Sequence, residues 1–141
     1  MDTEKLLERL RTLAPRNGLS LGVTCASNYG DFVLLLACAG CAFGADEALA
    51  ERQVNDRLRG WLAGAGAMLA VDHVELRRWM VDTGVLARDG YGHVYTRGNA
   101  KPEIAAAMRC LEGQDLAAVV ADARAREIAR REARKAQWVK A

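Results

Sequence analysis

Leu6, Leu7, Leu10 and Leu13 recur at intervals of three and four, the spacing that gathers apolar side chains on one helical face. A first helix is therefore expected over 3–13, with Asp2 or Thr3 as its cap and Ala-Pro-Arg-Asn-Gly as its end. Residues 19–25 alternate briefly, are interrupted by Gly22 and run into Ser-Asn-Tyr-Gly-Asp, which reads as a weak strand or an extended loop. Asp31 can cap the run Phe32–Phe43, which is apolar on every face, so a core helix stopped by Gly44 is expected, with a buried strand as the competing reading. A second amphipathic helix should then reach about Leu62, placing Leu49, Val54, Leu58 and Trp61 inward and Arg52, Asn55 and Arg59 elsewhere. Residues 63–67, Ala-Gly-Ala-Gly-Ala, form either a flexible connector or an extension of that helix.

Asp72 followed three positions later by Glu75 is an Asp variant of the capping box, predicting a helix that ends near Thr83 with Gly84 beyond it. From Val85 the period shortens, and Asp89, Gly90 and Gly92 supply the turn of a β-hairpin. Two further helices follow, about Pro102–Leu111 and Asp115–Gln137, parted by Gly113. The last has Leu116, Val120 and Ala123 on one line, and beyond Arg124 its apolar face gives way to Ala and Arg. The order predicts a mainly α chain with a small hairpin: an N-terminal helix and extended segment over 1–30, a winged-helix-like domain over 31–98, and a helical arm over 99–141.

Composition narrows the class without changing that picture. A length of 141 residues with 51% hydrophobic content supports one core. The first residues lack the uninterrupted apolar stretch of a secretory signal. The longest apolar run has 12 residues, short of the roughly 20 that cross a bilayer. A cytoplasmic protein with no membrane partner and reduced cysteines is expected. No glycine-rich phosphate loop or framed nucleophile is present and the two histidines lie far apart, so neither an enzyme nor a cofactor is expected. Cys38 and Cys41 have dithiol spacing but sit late in an apolar segment, where burial raises a thiol's pKa. They read as core packing, with a thiol or metal sensor drawing on Cys25, Cys110, His73 or His93 as a lesser possibility.

Charge is the informative quantity. The net value is only +2, yet from Arg124 onward seven cations (Arg124, Arg126, Arg130, Arg131, Arg134, Lys135, Lys140) face two carboxylates, a surplus of five that leaves the remainder at minus three. On the helix expected after Asp72, Glu75, Arg78 and Asp82 are spaced three and four apart, so both acids are expected to pair with Arg78, while Arg77 reaches a carboxylate inside the fold. A helix balanced that way repels phosphates, which moves the expected cationic set to Arg88 and Arg97 on the hairpin, to Lys101, and to the arm.

Val54 and Asn55, then Leu76, Arg77 and Arg78, Val81, Asp82 and Gly84, and finally Arg88, Asp89, Gly90, Tyr95 and Arg97 form a spaced set. In that set the chain resembles an uncharacterised bacterial family, domain of unknown function 2087, over roughly Phe32–Gly98. The resemblance implies a winged-helix-like fold and an association with transcriptional regulators, where such domains often follow an ArsR-type helix-turn-helix; it implies no established activity. The resulting expectation is a non-catalytic, DNA-associated regulator or accessory that contacts phosphates through wing and arm, as a homodimer. The alternative is a protein-interaction or oligomerisation module that binds no nucleic acid.

Overall fold

A computed structural model describes residues 2–140; Met1 and Ala141 lie outside the described residues. In chain order it contains α1 (Thr3–Leu13), α2 (Leu21–Ser27), α3 (Tyr29–Gly40), β1 (Leu49–Ala50), α4 (Glu51–Ala63), α5 (His73–Asp82), β2 (Leu86–Arg88), β3 (Val94–Arg97), α6 (Pro102–Leu111) and α7 (Leu116–Lys140). The fold is mainly α with one small antiparallel sheet of strand order β1-β3-β2.

The all-apolar stretch is the central helix. Every residue from Asp31 to Gly40 is buried, and α6 packs along α3 with Ile104, Ala107 and Leu111 fully inside. α3 begins two residues before the expected cap. Asn28 caps it instead, its side-chain oxygen accepting from the backbone N–H of Asp31 at 3.2 Å. That frees the Asp31 carboxylate for a bidentate contact with Arg9 of α1, both bonds at 2.7 Å. The stretch expected to be extended forms α2, because Ser20 caps it through the N–H of Val23 and Leu21 enters the core. Only its first two residues are extended, Leu19 bridging Leu69 and Ser20 leading into the helix.

Leu49 lies in a strand rather than on the helix that follows it. Leu49 and Ala50 pair with Tyr95 and Val94, so the hairpin gains a third strand and α4 starts at Glu51. The Gln53 side chain accepts from the N–H of Ala50 and closes that start. After Ala63 the chain turns rather than continuing as helix. Trp61 covers Gly66, where an added Cβ would lie 2.2 Å from the indole, so the segment is packed in place. The succession α3, β1, α4, α5, β2, β3 with β1 paired to β3 is the winged-helix arrangement, with α5 in the position of the reading helix. Outside it, α1 lies against α6 and α7.

Candidate nucleic-acid interface

α5 is positioned by its two ends and its buried face. Asp72 accepts from the N–H of Glu75 at 2.8 Å, Leu76 and Met80 are fully buried, and Gly84 takes φ +80 just past the C-terminus. This register turns Arg77 toward α4, where its guanidinium donates to Asn55 and lies 3.6 Å from a Glu51 oxygen. The Tyr95 hydroxyl donates to that same oxygen at 3.1 Å, and the Arg77 guanidinium sits 6.0 Å over the Tyr95 ring. Arg77 is thus held at the junction of α4, α5 and β3.

Arg78 departs from expectation. Neither Glu75 nor Asp82 pairs with it, and among the described residues no carboxylate oxygen lies within 4.0 Å of its guanidinium. The Glu75 carboxylate instead accepts from the Trp79 indole N–H at 3.3 Å. The helix therefore carries its acids beside Arg78 without cancelling it pairwise. Arg78 lines a groove of about 180 Å³ between α5 and the sheet, shared with Arg77, Asp82, Arg88 and Tyr95 and edged by Val74 and Val81.

Arg88 and Arg97 differ. Arg88, at the end of β2, is exposed and has no carboxylate partner among the described residues. Beyond it, Asp89 organises the wing by accepting from the N–H groups of His93 and Val94 at 2.8 and 3.3 Å. Those bonds, first of all the one from His93, hold its carboxyl below the ordinary range. Tyr91 stands at the tip, 85% exposed. Arg97, expected among the phosphate contacts, is instead tied into the fold. Its side chain is only 18% exposed, and it pairs with Glu112 and donates to the carbonyl of Gly40. The strand register accounts for this, since Arg97 pairs with buried Leu86 at the base of the hairpin. Lys101 is exposed, and its backbone N–H donates to Thr83.

The arm divides at Arg124. That guanidinium is also structural, donating to the carbonyls of Ala14 and Arg16 at 2.8 and 3.0 Å and to Asn17 at 2.8 Å, which clamps α7 onto the end of α1. α7 buries Leu116, Val120 and Ala123 and nothing beyond them. From Ala125 the helix continues with six cations (Arg126, Arg130, Arg131, Arg134, Lys135, Lys140) against Glu127 and Glu132, a surplus of four. Glu127 gathers Arg130, Arg131 and Arg134, which hold its carboxyl below the usual range, Arg130 most of all. Asp122 pairs with Arg126, and Glu132 lies 3.9 Å from Lys135. Such pairs stiffen an unsupported helix by about 0.2–0.5 kcal/mol each and leave the arm positive. Ile128, Trp138 and Val139 are 60%, 84% and 83% exposed, so Trp138 is not packed into the body among the described residues.

Cys38 and Cys41 offer little thiolate. Burial drives Cys38 far above the ordinary thiol range, and burial followed by the nearby Glu112 raises Cys41 to about 11. Among the described residues no three of His, Cys, Asp and Glu gather to hold a metal, and no helix is long and apolar enough to cross a membrane. What the surface offers is guanidinium: Arg78 and Arg88 at the groove, and a basic helix that buries nothing beyond Ala123.

Sequence reasoning found the wing and the arm but missed the groove, because Arg88 and Tyr95 are joined by sheet pairing and Arg78 reaches them from α5 through tertiary packing rather than by local spacing. The separation of eleven between Arg77 and Arg88 carries no signal of its own.

Element order and sheet pairing give a mainly α fold of winged-helix-like arrangement, extended by helices at both ends. Within that class the chain belongs to the family of uncharacterised proteins conserved in bacteria called domain of unknown function 2087, whose model matches residues 26–97. Among curated proteins and among solved structures nothing matches the chain.

Proposed function

We propose that this protein is a non-catalytic, DNA-associated regulator or accessory of transcription that holds nucleic acid by its phosphates. The observation that carries this reading is the arm: beyond Ala123 α7 buries no residue, and from Ala125 onward it holds a surplus of four positive charges. Arg88, Arg78 and Lys101 add cations on the winged-helix side. Arg97 and Arg124 are left out of the contact set because both are committed inside the fold. Phosphate contacts of this kind carry little base information and release counterions, so affinity falls steeply with salt and changes little with sequence. A gel shift with two duplexes of unrelated sequence tests it: both bind alike at about 50 mM salt and much more weakly at about 200 mM. Failure to shift either duplex at the lower salt rejects the reading.

A second reading, assembly without nucleic acid, is favoured by the exposure of Trp138 and Val139 on a basic helix, an arrangement that gains by covering its apolar end. The occupant is then a second copy, giving the homodimer. Light scattering separates the readings: assembly through the arm gives a dimer that becomes a monomer with Trp138→Ser, and an unchanged mass rules it out.

A further inference from the structure

The groove between α5 and the sheet has a composition that the general reading of arm and wing does not explain. Three arginines line it, Arg77, Arg78 and Arg88, and the one acidic residue in its lining is Asp82. Like charges crowd together at a cost unless an anion lies among them. Arg77 is offset by Glu51, 3.6 Å away, but Arg78 and Arg88 have no carboxylate within pairing distance among the described residues. We infer that this groove is the seat of a single phosphate group, gripped by Arg78 and Arg88 and backed by Arg77.

Its size selects the ligand. Sites for whole small molecules occupy about 300–1,000 Å³; this one is about 180 Å³. A groove of that size can seat a small oxyanion while the rest of a larger ligand extends beyond it. A phosphate in a nucleic-acid backbone satisfies that condition, and in naming that source the inference rests on the DNA-binding reading above. The guanidinium fork matches phosphate oxygens bidentately. Arg77 needs no further ordering, since Asn55, Glu51 and the Tyr95 ring already fix its plane, so little entropy is lost there on binding. Asp82 on the lining opposes the anion, which makes the seat dependent on both free arginines.

The test uses the full chain and three variants: Arg78→Gln, Arg88→Gln and the double. Both side chains are exposed and have no carboxylate partner among the described residues, so thermal melting should match the parent and confirm folding. Inorganic phosphate is titrated while backbone amide and arginine Nε–H resonances are followed. Saturable shifts confined to α5, β2 and β3 are expected, and their loss in the double variant. In parallel, duplex affinity is measured against salt. Because both arginines serve one phosphate, each single variant and the double should lower the log–log slope by the same amount, about 0.9. A double variant losing about 1.8 means two separate phosphates and overturns the single seat. Phosphate shifts in the groove from a chain that binds no duplex keep the seat, assign it to a free phosphate-bearing ligand and reject the DNA reading. Duplex binding with unaltered slopes in all three variants, and a groove that ignores phosphate, rejects the seat and leaves the DNA reading standing through the arm. Neither duplex binding nor phosphate shifts rejects both.

Discussion

A guanidinium tied to the carbonyls or carboxylates of another segment stops being a surface charge and becomes a fastener. Arg9, Arg97 and Arg124 are fasteners here, each joining segments distant in sequence. Asp31 is the most enclosed partner, its side chain 9% exposed. Replacing it with Ala removes two short bonds and leaves Arg9 unpaired but 41% exposed. The loss should therefore fall below the about 3–5 kcal/mol of a fully buried pair, near 2 kcal/mol by urea denaturation. Glu47 gives a pH signature. Arg57, and then the N–H of Gly44, pull its carboxyl down to about 2, whereas an unfolded glutamate titrates near about 4.3. A depressed carboxyl stabilises above its unfolded pKa and loses that contribution as pH falls, so the window lies between about 4.3 and 2. Glu47→Gln should lower the melting temperature at pH 7 and flatten its decline through that window. A variant melting like the parent at pH 7 would show the contact to be idle. For the thiols, Cys38 should resist alkylation at pH 8 until the chain is unfolded, as its buried, raised thiol requires; rapid labelling of the native protein would contradict its place in the core.

Elements formed by local rules were legible, and those formed by distant pairing were not. α1 and α6 match their expected limits because leucine spacing with an Asp cap, and a proline at the first helical turn, are local signals. β1 has two residues and exists through Tyr95 and Val94, far along the chain, so no window around Leu49 could reveal it. α2 was hidden because a brief alternation outweighed Ser20, a cap whose bond to Val23 decides the matter. The α5–wing junction turns on Gly84, where φ is +80 and an added Cβ would come within 2.2 Å of the Asn99 carbonyl oxygen. Gly84→Ala should cost more than the about 1 kcal/mol of a simple left-handed penalty, because the backbone at Asn99 must also move. Denaturant midpoints decide it, and a shift worth less than about 0.5 kcal/mol would mean that the turn relaxes freely.

Across the molecule, charge is sorted by whether it is needed to hold the body together. The body spends Arg9, Arg57, Arg97 and Arg124 on its own joints, and leaves Arg78 and Arg88 at the groove and most of the arm to solvent. The sequence foretold the surplus after Arg124 but could not separate Arg88 from Arg97 or Arg124 from Arg126, since those distinctions arise only when β3 meets α6 and α7 meets α1. It also misjudged Arg78, because three- and four-residue spacing permits a pair without requiring one, and Trp79 takes the Glu75 carboxylate. Under the proposed function, the basic part of α7 beyond Ala123 supplies most of the attraction for polyanions. Fluorescence anisotropy of a labelled duplex against salt, for the full chain and for Arg126→Gln/Arg130→Gln/Arg131→Gln/Arg134→Gln, measures it directly. The four-fold variant should lose at least about two from the magnitude of the log–log slope, at about 0.9 per phosphate contact. An unchanged slope for that variant, with its helix intact by circular dichroism, would contradict the account.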